Sequence, residues 1–300
     1  MTPTQLHQFL TIAEAGSLGR AARQLNISEP ALSKRLKSLE LSLGVPLMER
    51  TSRGMTPTAF GTCLAHHAQI IRGQFDRARE NIAVMKDGKN GRLSIGFSPS
   101  FGPSIVADAV FAFAKKRPNV QITTREGLAS DLMPLLLRSD IDLAVMTLDQ
   151  RIPKDECSQV HLGTDPAYVI ARPSHPLAGR KKIPVADILK FPWLMPHPGD
   201  RLRAWLESKL VAMKLGAPIP DIEFDSLSFA RRMLAERDLL AFLPAAAMRS
   251  DLAERKLVRI AIPELRWERA VGIVHRQTLQ SPLAAAMIET LKLSAKVQST

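Results

Sequence analysis

The chain has 300 residues, of which 45% are hydrophobic, a composition that can bury packed cores in about two domains. Lys and Arg number 41 against 29 Asp and Glu, and the resulting net charge of +12 favours a polyanionic partner. No apolar run approaches the ~20 residues that span a bilayer and no secretory signal begins the chain, so we expect a cytoplasmic protein with no membrane partner.

The first predicted element is an amphipathic helix, and residues 17–40 then predict two short helices joined by a tight turn at Asn26. Ser17 and Ser28 fit the N-caps of these two helices, and Pro30 is tolerated in the first turn of the second. Along the second helix, Leu32, Leu36 and Leu39 recur at helical spacing and face inward. The other side of the helix carries Ser33, Lys34 and Lys37. This pattern is typical of a helix-turn-helix that lays its second helix in the DNA major groove.

An ordered set of residues between positions 9 and 57 resembles the LysR-type transcriptional regulators. The matching residues are Phe9, Ser17, Ala21, Ala22, Leu25, Ser28, Pro30, Ala31, Leu32, Ser33, Leu36, Leu39, Glu40, Leu43, Gly44, Leu47, Glu49, Arg50, Arg53, Gly54, Thr56 and Pro57. The resemblance continues more weakly to the C-terminus. It implies an α/β chain with an N-terminal all-α winged helix-turn-helix, a linker helix and two α/β subdomains like those of a type 2 periplasmic binding protein. We expect domains at 1–58, 59–90 and 91–300, with subdomain I at 91–161 and 268–300 and subdomain II at 162–267.

One departure from the family pattern falls at Glu29, where the family commonly has Gln. A Gln side chain can form two hydrogen bonds with adenine, whereas a Glu carboxylate only accepts, for example from the amine of cytosine. The carboxylate also comes close to DNA phosphates. We therefore expect an operator that differs from the family's usual half-site at that base pair.

Residues 50–56 are interpreted as the wing beside the second helix, with Gly54 in its turn. Arg53 is placed there to enter an A·T-rich minor groove, where the potential is most negative, and a solvated surface arginine is the alternative. Arg35 points sideways from the second helix and is interpreted as a surface charge. The predicted DNA contacts are Ser17, Ser28, Glu29, Pro30, Ser33, Lys34, Lys37, Arg50 and Arg53.

Residues 58–86 predict one long helix with an apolar stripe, and residues 86–91 end it as a hinge. The stripe holds Phe60, Leu64, His67, Ile71, Phe75, Ala78, Ile82 and Met85. After a DNA-binding unit, such a stripe favours a dimerising helix over one that packs on its own domain. A dimer sets two recognition helices on one palindromic site. The adjacent His66 and His67 do not share a helix face, so no metal is expected there.

From Arg92 onward the pattern alternates between strands and helices, which predicts a mostly parallel sheet covered by helices. Strands are expected at residues 93–97, 120–124, 142–146, 167–171, 193–195, 222–224, 240–243, 258–262 and 269–275. Helices lie between them, among them 104–116, and a closing helix covers 282–297. The resemblance implies two strands that cross between the subdomains, near 160–164 and 264–269.

Ligands of such sheets bind beyond the carboxyl ends of the strands, where turns rich in hydroxyls precede helix N-termini. That rule and the resemblance predict an effector cleft lined by Ser98, Ser100, Phe101, Ser130, Thr147, Arg201 and Ser226. Arg201 suits a carboxylate or sulfonate, so we expect a small anionic effector. For each serine, capping of its own helix is the alternative. Residues 235–244 lack a Gly-rich turn and resemble the family branch that responds to aromatic acids, sulfonates or sugars.

These patterns predict a regulator of transcription, a homodimer or homotetramer that contacts double-stranded DNA and RNA polymerase and responds to an effector. An enzyme with a DNA-binding head is one alternative, with Ser98 or Cys157 as nucleophile and His161 or His175 as base. No nucleophile elbow or phosphate loop supports it, so no catalytic residue, cofactor or metal is expected. An architectural DNA-binding protein without an effector is the other alternative.

The two cysteines, Cys63 and Cys157, lie far apart in the sequence. Their number and spacing match neither a disulfide framework nor a zinc site, so we expect reduced thiols. A redox-sensing pair is the alternative, and no nearby resolving cysteine supports it.

Overall fold

The computed structural model describes residues 1–51, 54–87, 91–149, 152–278 and 281–299. The chain divides into two compact units, residues 1–92 with 134–141, and residues 93–133 with 142–300. A search of the described helices finds none long and apolar enough to cross a membrane.

The first unit begins with three helices and a two-stranded hairpin, followed by one long helix. The elements are α1 (Pro3–Ala15), α2 (Leu18–Gln24), α3 (Glu29–Leu43), β1 (Met48–Thr51), β2 (Gly54–Pro57) and α4 (Ala59–Asp87). The predicted caps are confirmed, because the Ser17 hydroxyl accepts from the Arg20 N–H and the Ser28 hydroxyl from the Ala31 N–H. Asn26 adopts a positive φ of 53° in the turn between α2 and α3.

The core of the head joins α1, α2 and α3 to the hairpin, so the helical domain carries a two-stranded wing. Its buried residues include the predicted Leu32, Leu36 and Leu39, which pack with Phe9, Ile12, Leu18, Ala21, Ala22, Leu47 and Met48. The Glu40 carboxylate accepts from the N–H groups of Leu47 and Met48, which ties the end of α3 to β1.

Helix α4 covers the predicted range and begins directly after Thr58, the residue at which the wing ends. The Thr58 hydroxyl accepts from the Gly61 N–H at 3.0 Å, and the Thr58 N–H donates to the Leu47 carbonyl. The first turns of α4 then pack on α1, where Leu6, Leu10 and Ala68 form a small buried cluster. Residues 88–90 of the predicted hinge lie outside the described residues.

The second unit alternates strands with helices, as predicted. Its strands are β3 (Gly91–Phe97), β4 (Val120–Glu126), β5 (Leu143–Thr147), β6 (Cys157–Ala171), β7 (Trp193–Pro196), β8 (Pro220–Phe224), β9 (Ala241–Pro244), β10 (Val258–Arg259) and β11 (Trp267–Arg276). Its helices are α5 (Ala107–Lys116), α6 (Ala129–Leu137), α7 (Arg201–Ala212), α8 (Leu227–Glu236), α9 (Arg249–Ala253) and α10 (Pro282–Ser299).

Two long strands run through the second unit and carry a subdomain at each end. Strand order is β10-β6-β11-β5-β3-β4, and β9 also pairs with β6. β11 pairs antiparallel with β6 over its length, from Trp267 opposite Ala167 to Arg276 opposite Cys157. β5 pairs antiparallel with the C-terminal half of β11, and β9 pairs antiparallel with residues 167–170 of β6. The prediction of a mostly parallel sheet is therefore wrong, because β6 and β11 return between the subdomains and pair antiparallel with their neighbours, whereas β3 and β5 are parallel. The first subdomain is therefore built around β3, β4 and β5, and the second around β7, β8 and β9.

Three predicted elements have different bounds in the structure. The strand predicted at 167–171 is the far end of β6, and the crossing placed at 264–269 comes later, because residues 263–265 form a helical turn before β11. The strand predicted at 258–262 ends at Arg259, since the chain turns tightly ahead of Pro263. The helix predicted from 104 starts at Ala107, because Ser104 (φ −125°, ψ −106°) is not helical.

The second subdomain buries its strands on both faces, which explains their continuous apolar sequences. Trp193, Met195 and Phe242 pack on one side with Leu206 and Leu210 of α7. Leu194, Ala241 and Leu243 pack on the other side with Ala230 and Leu234 of α8.

Replacing Gly61 with Ala should destabilise the head, although Ala favours a helix over Gly by about 1 kcal/mol. A Cβ at position 61 would lie 2.0 Å from the Leu47 carbonyl oxygen, so α4 and the hairpin must separate. We expect a loss of about 1–3 kcal/mol, seen as a lower Tm when unfolding is followed by circular dichroism. Gly19→Ala in α2 is the control, because its Cβ would meet only the flexible end of Glu29. An equal Tm for the two variants would contradict the tight contact.

Candidate nucleic-acid interface and ligand cleft

Helix α3 turns one face into the core of the head and leaves the opposite face exposed. Pro30, Lys34 and Lys37 are exposed on that outer face, and Ser33 is exposed on its flank. Arg35 is also exposed, but its position lies nearer the buried face. The outer face is thus a basic surface at the N-terminal half of a helix, where positive charge and free N–H groups favour phosphate.

Glu29 is exposed at the first position of α3 and leans toward α2. A Cβ built on Gly19 would lie 3.0 Å from its carboxylate oxygen, so the carboxylate sits beside the first turn of α2. It therefore lies near the N-termini of two helices, where the helix dipoles stabilise negative charge. The same N-termini are the points that would otherwise attract a phosphate.

The wing places Arg50 on β1, where it is exposed and lies opposite Met55 of β2. Gly54 has a φ of 119°, and the Met55 N–H donates to the Gly16 carbonyl at 2.9 Å, so the hairpin is anchored to the end of α1. Arg53, the predicted minor-groove residue, lies outside the described residues.

The predicted apolar stripe of α4 is exposed at several positions, although Leu64, one of its members, packs on the core of the head. Phe60, Ile71, Phe75 and Ile82 have 55%, 37%, 54% and 65% of their surface exposed. Met85 lies outside the described side chains. Ala68, on a different face, is buried against α1. Large apolar side chains in a row on one helix indicate a surface that a partner covers.

The carboxyl ends of β3, β4 and β5 meet at one edge of the sheet. The Ser98 N–H donates to the Val145 carbonyl at 2.9 Å, and the Gly127 N–H donates to the Phe97 carbonyl at 3.1 Å. Ser98 and Thr147 therefore lie at neighbouring strand ends, next to the turn that leads to the exposed Ser130. The structure brings these three predicted residues to the edge that the rule for α/β sheets selects.

The hydroxyls at this edge differ in their hydrogen bonding. Within the described residues, the side chains of Ser98 and Ser100 form no hydrogen bond, but Ser98 is half-buried whereas Ser100 is buried, so Ser98 is the more accessible to a ligand. The Ser226 hydroxyl accepts from the Phe229 N–H at 3.3 Å and caps α8. For Ser226 the alternative role, the capping of its own helix, is therefore what the structure has. Phe101 is buried in the core, and its N–H closes the turn on the Ser98 carbonyl.

Arg201, the first residue of α7, reaches the same edge from the second subdomain. Its guanidinium pairs with the Asp149 carboxylate at 2.9 Å, just after β5, and lies 5.9 Å from the centre of the Trp267 ring. Trp267 stacks on Trp205, which stacks on Phe242. The ion pair joins the two subdomains across the cleft, and an anion that binds Arg201 must compete with Asp149.

Two cavities border the loop 99–105. The smaller, about 340 Å³, lies between Pro99, Glu126 and Ser226, and Asp225 adds a second carboxylate to its wall. Its one lining arginine, Arg231, is paired with Asp251 at 2.6 Å. The larger, about 1110 Å³, is called the arginine cavity because Arg249, Arg255 and Arg259 border it. Of the predicted effector residues, Ser226 lines the smaller cavity and Phe101 the larger, so the set does not line one cavity.

A buried ion pair joins β6 to β11 in the middle of the second unit. Arg269 lies directly opposite Asp165, donates to its carboxylate and main-chain carbonyl, and is buried with it. Asp165 also accepts from the Ala246 N–H at 2.9 Å. Burial raises the pKa of Asp165 and lowers the pKa of Arg269, and their mutual attraction opposes both changes. Each group thus offsets part of the cost of burying the other.

Two residues of the enzyme alternative, Cys157 and His175, lie in surroundings that oppose catalysis. Cys157 is buried, and burial raises the pKa of its thiol, the opposite of what a nucleophilic thiolate needs. His175 is buried too, its Nδ1 accepts from the Leu177 N–H, and burial lowers its pKa. Cys63 and Cys157 are both free thiols. Among the described residues, no group of three His, Cys, Asp or Glu could hold a metal ion.

Family models match both parts of the chain. Residues 3–62 match the bacterial regulatory helix-turn-helix of the lysR family, and residues 86–295 match the LysR substrate binding domain. The chain belongs to the LysR family of transcriptional regulators. As a LysR regulator it has a DNA-binding helix-turn-helix and an effector-binding domain of two subdomains like a periplasmic binding protein.

Known LysR proteins align with nearly the whole chain. The transcriptional regulator CbbR of Cereibacter sphaeroides is 30% identical over 280 residues, which cover 92% of this chain and 88% of that protein. ArgP of Mycobacterium tuberculosis has the same fold, with a TM-score of 0.75, 21% identity, and coverage of 97% and 96%. CbnR, solved with its target DNA, gives a TM-score of 0.68, 20% identity, and coverage of 98% and 100%.

Sequence reasoning missed several charged residues of this LysR chain. Asp149 follows β5 by two residues, so the strand-end rule that selected Thr147 could have found it. The Asp165–Arg269 pair left no such signal, because its two residues are 104 positions apart in the sequence. The three arginines left none either, because the cavity that they border is formed by distant segments of the chain.

Replacing Arg269 with Met should lower the free energy of unfolding by about 3–5 kcal/mol, because Asp165 is left buried and unpaired. Its raised pKa lies above the unfolded value, so the neutral acid is tolerated at low pH and the loss grows as pH rises above about 4. Urea unfolding across that pH range measures it.

Arg266→Met is the matched control, since Arg266 pairs with Glu268 at the surface and should change stability by less than about 1 kcal/mol. Equal losses at Arg266 and Arg269, or a loss at Arg269 that does not depend on pH, would contradict the role of the buried carboxyl.

Proposed function

We propose that this LysR regulator binds operator DNA as a dimer or tetramer, through α3 and the wing. Its binding to DNA changes when a small anionic effector enters the cleft. The observation that carries the proposal is the exposed basic face of α3, beside a long helix with an unpartnered apolar stripe. The domains are proposed at 1–58, 59–90 and 91–300, with subdomains divided near 161 and 268.

Two copies of the chain would pair along α4. Exposed Phe60, Ile71, Phe75 and Ile82 supply the apolar contact, and pairing removes them from water. The dimer then presents two α3 helices to the two halves of a palindromic operator. Pairing of two dimers gives the tetramer. A tetramer that holds two dimers on one operator would bend the DNA and so change its contact with RNA polymerase.

Within the head, the proposed DNA contacts are Ser17, Ser28, Glu29, Pro30, Ser33, Lys34, Lys37, Arg50 and Arg53. Lys34 and Lys37 bind phosphate or base edges from the outer face of α3. The carboxylate of Glu29 near two helix N-termini supports a different base preference at that position, since it only accepts hydrogen bonds.

In the cleft, the effector's anionic group replaces Asp149 as the partner of Arg201, and its body contacts Ser98, Ser100 and Thr147. The Arg201–Asp149 pair joins the subdomains, so an effector that replaces it favours one arrangement of the subdomains over the arrangement held by the pair. Such a difference in affinity between two arrangements is what any switch requires. Glu126 and Asp225 make the adjoining small cavity acidic, so an effector with a cationic group is the second candidate.

No catalytic step is proposed for the chain. The buried, raised-pKa thiol of Cys157 is unsuited to nucleophilic attack, and the relatives named above are transcriptional regulators. We place the protein in the cytoplasm, because its partner is DNA and its two cysteines are free thiols.

A double variant of Lys34→Ala and Lys37→Ala tests the DNA surface. If each lysine neutralises one phosphate, the slope of log affinity against log salt should fall by about two, because each contact contributes about 0.9. Fluorescence anisotropy on DNA from upstream of the chain's own gene measures the slope.

The matched control is Arg35→Ala, which removes one positive charge from the flank of the same helix. Its slope should equal that of the wild type. An unchanged slope in the double variant, or an equal fall per charge in Arg35→Ala, would refute the assignment of the outer face.

Variants of the two residues of the Arg201–Asp149 pair test the cleft, because they should change the affinity for an anionic effector in opposite directions. Asp149→Asn should bind benzoate or benzenesulfonate at least about fivefold more tightly, because Arg201 loses its internal competitor, and Arg201→Gln should abolish binding. Trp267, beside Arg201, provides a fluorescence signal for the titration.

Benzamidine, a cation of similar shape, separates the two candidates for the effector. Binding of benzamidine and not of benzoate by the wild type would overturn the anionic effector and favour the carboxylates of the small cavity. Loss of operator binding in both variants would mean that the pair is structural.

A further inference from the structure

The arginine cavity is lined by both subdomains and is more than large enough for a small molecule. Its volume is about 1110 Å³, and its walls come from the turn at Phe101 and Ile105, from β6 at 162–166 and from the segment between Ala245 and Arg259. Apart from Phe101, none of the residues proposed for the effector cleft lines it.

Positive charge around this cavity is not balanced. Arg249, Arg255 and Arg259 are exposed, and none of them pairs with a carboxylate among the described residues. The nearby acids are committed elsewhere, since Asp251 pairs with Arg231 and Glu254 with Lys256. Asp165 also lines the cavity, but Arg269 neutralises it. Arg259 lies over the Tyr168 ring at 4.5 Å, and Arg249 adds to the attraction on Asp165, but neither contact supplies a separate neutralising carboxylate. The three arginines can therefore still bind an anion.

Apart from Thr164 and Asp165, the other lining side chains are apolar. Ile105, Leu162, Leu252, Leu257 and Val271 supply aliphatic surface, and Leu257 is fully buried. A bare inorganic anion would leave this surface in water, whereas an anion on an apolar body would cover it.

Arg255 has a positive φ of 56°, a conformation that suits Gly better than a long side chain. It closes α9, where the N–H groups of Lys256 and Leu257 both donate to the Asp251 carbonyl. A glycine would make this turn at lower cost, so the turn itself does not call for an arginine.

We propose that the arginine cavity is a second ligand site, separate from the cleft at Ser98 and Arg201, which takes an amphiphilic anion: a carboxylate or sulfonate on an apolar body. Arg249, Arg255 and Arg259 bind the anionic group, and the aliphatic lining holds the body.

The test uses the purified full-length chain and 8-anilinonaphthalene-1-sulfonate, an aromatic sulfonate that fluoresces in apolar surroundings. Wild type should show saturable binding, and the triple variant Arg249→Gln, Arg255→Gly, Arg259→Gln should bind at least about tenfold more weakly. The control triple Arg180→Gln, Lys182→Gln, Arg237→Gln removes the same charge from other exposed positions of the second subdomain and should bind like wild type.

Competition identifies the chemistry of the site. Octanoate should displace the probe, and octan-1-ol at the same concentration should not, because only the carboxylate engages the arginines. Equal displacement by both, or wild-type affinity in the cavity triple variant, overturns the proposal.

The single variant Arg255→Gly keeps the test decisive if the triple variant unfolds, since it removes one charge and relieves the backbone at that turn. It should fold like wild type and bind the probe at least about threefold more weakly. Undiminished binding in this folded variant counts against the site. Because the probe is itself a sulfonate and can also enter the cleft, the same titrations are run in the Arg201→Gln background, where the cleft has lost its cation. A fall in affinity that persists in that background belongs to the arginine cavity and does not depend on the proposed function.

Discussion

Antiparallel pairing between β6 and β11 spans both subdomains, and the other strands of the sheet take their places from it. β5, β3 and β4 follow on the side of β11, and β9 and β10 attach to β6. The buried Asp165–Arg269 pair lies in this ladder, close to where the partners of the two strands change. Main-chain hydrogen bonds resist sliding, so any relative motion of the two subdomains would have to bend or twist these two strands.

Local signals predicted the head well because its helices are set by caps and by periodicity. Ser17 and Ser28 cap helices, and the leucines of α3 face the core, as predicted. These roles depend only on residues a few positions away in the sequence. The first half of β6 was missed, because exposed His161 and buried Asp165 interrupt any apolar run there. That stretch is a strand because β11, about a hundred residues later, pairs with it. Asp149 and the arginine cavity likewise depend on proximity that only the folded chain creates.

Loop 99–105 separates the two cavities of the effector-binding domain. Pro99 and Pro103 face the smaller one, and Phe101 and Ile105 face the arginine cavity. The opposite wall repeats the pattern, since Ala247 lines the smaller cavity while Ala245 and Ala246 line the larger. A molecule in either cavity touches a wall of the other, and any influence between them must be equal in both directions.

The close contact of Gly61 with the Leu47 carbonyl makes the wing and the start of α4 one rigid piece. A helix of 29 residues is about 44 Å long, so it acts as a lever with the DNA-binding head at its end. A tilt of about 10° would carry the head through roughly 8 Å, about two base-pair steps along DNA. In the proposed dimer, a small change in the angle of α4 would therefore be enough to alter the distance between the two recognition helices.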